Sequence, residues 1–149
     1  MNPFDLKSAL LARHAQHVVL IHFPIALFLA SVGFDLVAQW TRKQVLAAVA
    51  YCNLLLAAIS SLPVIASGLL AWRWQLEGQH LKGVLLMHLV MGVAAASLIW
   101  LIWWLQFRRR KDPEPRMSAY LIALELIAVM VVAMTAHLGG FLSGVNGIG

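Results

Sequence analysis

Histidine is the residue of this sequence whose chemistry and placement most suggest a binding site. Neutral imidazole is a good ligand for haem iron, zinc and copper, and the chain has six histidines among 149 residues. The six are His14, His17, His22, His80, His88 and His137. Whether they can share a ligand depends on the elements that position them.

Four apolar stretches supply those elements. Of the residues, 62% are hydrophobic and only 11% are charged, which leaves too little polar surface for a soluble domain of this size. Each stretch can cross a hydrocarbon core of about 30 Å at about 1.5 Å per residue. We expect one membrane domain over residues 1–149, with an interfacial lead over 1–16. The predicted transmembrane helices are 17–40, 44–72, 83–106 and 118–140.

The basic residues indicate the orientation of these helices. Seven Lys and Arg residues lie in the first and third connections, against four on the other side. Because cytoplasmic loops carry the excess of positive charge, both termini are predicted on the outer, periplasmic side of a bacterial inner membrane. The basic residues lie at helix ends rather than along one face, which argues against nucleic-acid binding. Short connections predict an all-α, up-down four-helix bundle, and no internal repeat is apparent.

This orientation puts all six histidines at the outer face. His22 lies about five residues inside helix 1 and His88 about six residues past Lys82, so the two should lie at similar depth. Helices 1 and 3 are diagonal partners in such a bundle, and a planar macrocycle would fit between them. The sequence therefore predicts haem b with His22 and His88 as axial ligands, an arrangement suited to electron transfer.

The other residues at this face have less specific roles. His17 and His137 form a shallower pair that could bind a second haem, hydrogen-bond propionates or hold a small metal site. Arg13 and Arg73 could pair with haem propionates, and ordinary anchoring at helix ends explains them equally well. His14 and His80 are expected to be bystanders.

Two carboxylates lie inside the spans, near the opposite face. Asp35 in helix 1 and Glu125 in helix 4 are within about five to seven residues of the cytoplasmic helix ends. As a pair they could pass protons to a quinone. The alternative is that Asp35 reaches Arg42 or the interface while Glu125 hydrogen-bonds a neighbouring helix.

A family resemblance rests on motifs at both ends of the chain. The motifs are His17-x4-His22-Phe23-Pro24 in helix 1, His88 in helix 3 and His137-Leu138-Gly139-Gly140 in helix 4. With these residues the chain resembles bacterial four-helix membrane proteins of domain-of-unknown-function family 2231. Some members are joined to cytochrome c or Rieske-type modules, so the resemblance implies a place in respiratory electron transfer.

Three functions follow from these observations. The first is a haem-binding electron carrier with one haem b, or two, exchanging electrons with quinol or a periplasmic cytochrome c or Rieske-type partner. Such a protein would be a subunit of an oxidoreductase or a homo-oligomer in the lipid, and not an enzyme on its own. The second is a zinc- or copper-binding or sensory membrane protein, and the third is a structural subunit without a cofactor.

Overall fold

In a computed structural model, four long helices form the described part of the chain, residues 13–75, 81–109 and 118–143. They are α1 (Arg13–Thr41), α2 (Gln44–Gln75), α3 (Gly83–Arg109) and α4 (Ala119–Leu142). All four are long and apolar enough to cross a membrane, so the predicted all-α fold with four spans is confirmed. Helix α1 begins at Arg13, inside the expected interfacial lead, whose first twelve residues lie outside the described part.

A two-residue connection folds α2 back against α1. Arg42 has a φ of 57°, and its N–H donates to Ala38 O at 2.8 Å. One residue in the left-handed region is a common way to end a helix, although a side chain makes that conformation cost about 1–2 kcal/mol. The tight turn makes α1 and α2 an antiparallel hairpin, and α3 and α4 form a second one.

Small residues allow the helices of the first hairpin to approach closely. On α2, Ala50, Ala57 and Ala58 are buried, and Ala57 and Ala58 belong to one core cluster with the fully buried Phe28 of α1. Ser31 Oγ donates across the interface to Ala50 O at 2.8 Å. Because lipid is as apolar as a leucine side chain, close packing and hydrogen bonds of this kind are what hold transmembrane helices together.

The two hairpins bury corresponding positions, 71 residues apart. The correspondence covers six buried pairs, and at these positions the two hairpins form an approximate tandem repeat. The buried pairs are Phe28 and Ile99, Ser31 and Ile102, Ala50 and Leu121, Leu54 and Glu125, Ala57 and Ala128, and Ser61 and Val132. Parallel repeats of this type are related by an approximate two-fold axis along the membrane normal. The sequence analysis missed the repeat because few residue types are shared between the halves.

Replacing Phe28 with alanine tests the packed face. We expect Phe28→Ala to lower the free energy of unfolding by about 3 kcal/mol, because it leaves a cavity among side chains that exclude lipid. The matched control is Phe34→Ala, since Phe34 on the same helix is 37% exposed and should cost much less. Reversible unfolding in mixed micelles measures both, and equal losses would contradict the assigned core.

Candidate functional site

His17 lies where α1 packs against the end of α2. Its Nδ1 is 2.9 Å from Ser67 Oγ. The Ser67 hydroxyl donates its single proton to Val64 O at 2.9 Å, so it can only accept from the imidazole. His17 therefore carries its hydrogen on Nδ1, which puts the lone pair of the neutral ring on Nε2.

His88 has the same protonation pattern in the second hairpin. Its Nδ1 lies 3.1 Å from the backbone oxygen of Thr135 on α4. A carbonyl oxygen only accepts hydrogen bonds, so Nδ1 of His88 carries the hydrogen and Nε2 carries the lone pair. A backbone carbonyl or hydroxyl that holds one ring nitrogen in this way is the usual means of orienting a histidine ligand.

Each of these imidazoles packs against a glycine. A Cβ atom on Gly68 would lie 3.0 Å from Cε1 of His17, and one on Gly139 would lie 3.1 Å from Cε1 of His88. The corresponding distances to Nδ1 are 3.6 and 3.7 Å, so the two contacts have nearly the same geometry. His17 and His88 are 71 residues apart, and so are Gly68 and Gly139. The two histidine–glycine contacts are therefore equivalent in the tandem repeat.

A hydrogen bond at the other end of the bundle sets the relative height of the two histidines. Gln106 Nε2 of α3 donates to Asp35 Oδ2 of α1 at 3.0 Å. Counting 18 residues back from each partner leads to His17 and to His88, about 27 Å along both helices. The structure therefore aligns His17 with His88. His22 lies about 7.5 Å further into the bundle, which differs from the His22–His88 pairing expected from the sequence.

Helical rotation separates His22 from His17. His17 precedes the buried Pro24 by seven residues, which returns it to within about 20° of the packed face of α1. His22 precedes Pro24 by only two residues, about 200° away, and its side chain is exposed. Its Nδ1 donates to Val18 O of its own helix at 2.7 Å, which leaves Nε2 directed away from that bond.

The remaining predicted residues of this end are on the surface or outside the described part. His137 is exposed and packs edge-on against Phe141, with ring centroids 5.0 Å apart. Arg73 is exposed at the end of α2, and nothing is described of the Arg13 side chain. His80 and the side chain of His14 also lie outside the described residues. Within the described helices, no three His, Cys, Asp or Glu side chains gather closely enough to hold a metal ion.

Three polar side chains meet at the opposite end of the bundle. The amide of Gln106 donates to Asp35 Oδ2 and to Glu125 Oε1, each at 3.0 Å, so that one side chain joins α1, α3 and α4. Asp35 and Glu125 are 4% and 1% exposed. Glu125 Oε2 is buried without a hydrogen-bond partner among the described residues, an arrangement that costs about 1–3 kcal/mol. We call these three residues the carboxyl–amide cluster.

Sequence reasoning found the two carboxylates but missed Gln106. The predicted helix 3 stopped at residue 106, which made Gln106 an interfacial residue, whereas α3 continues to Arg109. Arg109 donates to Ser118 Oγ at 2.7 Å and so closes the bundle one turn beyond the cluster. A polar amide two residues before the first arginine of a helix end was the signal available in the sequence.

Alanine at the two glycines should displace the histidines. We expect Gly68→Ala and Gly139→Ala each to lower the free energy of unfolding by about 1–3 kcal/mol relative to a neutral glycine site, because the new Cβ crowds an imidazole. Gly33→Ala and Gly92→Ala are the controls, since a Cβ there meets nothing within 4 Å or only Thr135 Cγ2 at 3.8 Å. Unfolding in mixed micelles measures all four, and equal effects would contradict the close contacts.

Comparison with known proteins gives the family of this chain. No curated protein and no solved structure matches it. One protein family, described as predicted membrane protein, matches residues 13–149, which is nearly the whole chain and includes both hairpins. The chain therefore belongs to domain-of-unknown-function family 2231, a family of predicted membrane proteins.

Proposed function

We propose that this chain is a b-type cytochrome subunit, a membrane electron carrier that holds haem b at the end of the bundle where its histidines lie. The observation that carries the proposal is the equivalence of His17 and His88. They occupy corresponding positions on α1 and α3, at the same height, in matching contacts with glycine. A ligand bound at the axis of a two-fold repeat meets two equivalent side chains, and haem iron has two axial positions to fill.

The residues present fit such a group in their donor chemistry. Because both Nδ1 atoms carry hydrogen, Nε2 is the nitrogen of each ring that would act as an axial ligand. Haem with two imidazole ligands supplies one-electron transfer and has no open position for oxygen. Zinc sites take three or four protein ligands, and the described residues provide no group of three.

Cations at the same end support haem over a bare metal ion. Arg73 and Lys82 are both exposed there, at the end of α2 and just before α3. Two carboxylate propionates would find charge partners in them, and Arg13 at the start of α1 could serve in the same way. Their positions would hold the macrocycle at the edge of the bilayer.

The proposal places electron entry and exit at one membrane face. The sequence has no histidine between His22 and His80 or between His88 and His137, so the other half of the bundle offers no second bis-histidine position. Electrons would pass to and from quinol or a periplasmic cytochrome c or Rieske-type protein. We propose the bacterial inner membrane as the location, with the outer face carrying the histidines, as the Lys and Arg distribution favours.

Histidine variants test the ligand assignment. Protein purified from cells supplied with haem precursor should show Soret and α bands in a reduced-minus-oxidised spectrum. His17→Ala and His88→Ala should each remove haem or convert it to a high-spin form, because an axial position is lost. His22→Ala is the matched control on the same helix and should retain the bands, as should His80→Ala.

The outcomes separate the alternatives. Loss of haem in His22→Ala with retention in His17→Ala would replace His17 with His22 as the partner of His88. Full haem content in His88→Ala would contradict a bis-histidine site, whether His17 or His22 were the second ligand. Wild-type protein without these bands but with stoichiometric zinc or copper would support the metal-binding alternative instead.

A further inference from the structure

We propose that the carboxyl–amide cluster of Asp35, Gln106 and Glu125 is a buried proton-binding site in the half of the bundle away from the histidines. Its ligand is a proton, exchanged with water at the end where α1 and α3 terminate. The inference stands on the hydrogen bonds and burial of these three residues and does not depend on haem.

The hydrogen bonds bring two carboxyl groups to one amide. Gln106 Nε2 donates to Asp35 Oδ2 and to Glu125 Oε1, each at 3.0 Å. Both carboxyl groups are buried, at 4% and 1% exposed. Two carboxylates held this close in a buried place do not both ionise readily, so a proton on one of them is favoured, as in the carboxylate pairs of aspartic proteases.

The side chain that hydrogen-bonds to both carboxyl groups is uncharged. Among the described residues, Asp35 and Glu125 each accept a hydrogen bond from the neutral amide of Gln106. On α3, Arg109 is directed to Ser118 and lies 5.9 Å from the ring of Tyr120, the first titratable group of α4. Arg42 and Lys43 are exposed.

Helix α2 adds no charge at this level. The helix meets α1 there through Ala50, and the titratable side chains of α2 in this region are the neighbouring Tyr51 and Cys52. Two ionised carboxylates in so apolar a place would repel each other without compensation.

The tandem repeat indicates that Glu125 is not needed for packing. The equivalent position in the first hairpin is Leu54, which is also fully buried. Asp35 and Gln106 are themselves equivalent positions and already connect α1 to α3. The second hairpin thus has a carboxyl group at the position where the first has a leucine, and Glu125 Oε2 has no hydrogen-bond partner among the described residues.

Proton exchange from this site needs only a short path. Glu125 follows Ser118, which precedes α4, by seven residues, about 10 Å along the helix. On release, an O–H bond of one carboxyl group breaks, its electron pair stays on the carboxylate, and the proton goes to water at that end. Uptake is the reverse step. Because His17 and His88 lie about 27 Å away along their helices, the site acts separately from any group bound there.

Labelling with dicyclohexylcarbodiimide tests the site. This lipophilic reagent reacts with a protonated carboxyl group: the proton moves to a nitrogen of the carbodiimide and the carboxylate oxygen adds to its central carbon. An acyl shift to nitrogen then breaks the acyl C–O bond, and that oxygen becomes the carbonyl of the N-acylurea. We expect mass spectrometry to find the label on Glu125 at pH 7, with at least a tenfold loss in Glu125→Gln and Glu125→Leu. The internal references are the four acidic residues outside the described helices, Asp5, Glu77, Asp112 and Glu114, which should react only at acidic pH.

Infrared spectroscopy tests for the buried proton independently, should the reagent fail to reach the cluster. The carbonyl band of a protonated carboxylic acid should be present at pH 7 in wild-type protein and absent from the double variant Asp35→Asn, Glu125→Gln. Absence of both label and band in folded wild-type protein would overturn the proton site. A negative result here would leave the haem spectrum unchanged, so the two proposals fail independently.

Discussion

The hydrogen bond from Gln106 to Asp35 is the interaction on which the placement of both candidate sites depends. It joins corresponding positions of α1 and α3 and therefore sets the register between the two hairpins. From that bond, equal lengths of helix lead to His17 and His88. The same amide reaches Glu125, so the contact that aligns the histidines also assembles the carboxyl–amide cluster. In lipid, where no hydrophobic effect aligns helices, one interhelical hydrogen bond can have such influence.

The two hairpins are equivalent at one end of the bundle and differ at the other. At the histidine end the halves remain equivalent, with His17 on Gly68 matched by His88 on Gly139. At the other end they diverge, because Glu125 occupies the position of Leu54. Equivalent side chains would suit a planar cofactor with two axial positions, whereas Glu125 supplies a carboxyl group that Leu54 does not. Retained symmetry at one end and broken symmetry at the other is the physical basis for assigning two separate chemistries to one small bundle.

Part of this could be predicted from sequence. Apolar length and the scarcity of charge required four spans, since a backbone in lipid must satisfy its own hydrogen bonds as helix. The grouping of histidines toward one end and of Asp35 and Glu125 toward the other followed from counting along those spans. Choosing between His17 and His22 did not follow, because counting gives depth but not which face of α1 is buried. Gln106 was missed for a related reason, a helix end placed three residues too early.

By itself the sequence determined the class of protein, the number of helices and which residues lie near each end. Tertiary structure decided which side chains meet. His17 rather than His22 lies near the packed face because of rotation about α1, and the histidine contacts with Gly68 and Gly139 depend on close approach of two helices. The tandem repeat likewise became visible only as a pattern of burial. Composition and spacing constrain each helix separately, whereas register and rotation between helices come from packing contacts and hydrogen bonds distant in sequence.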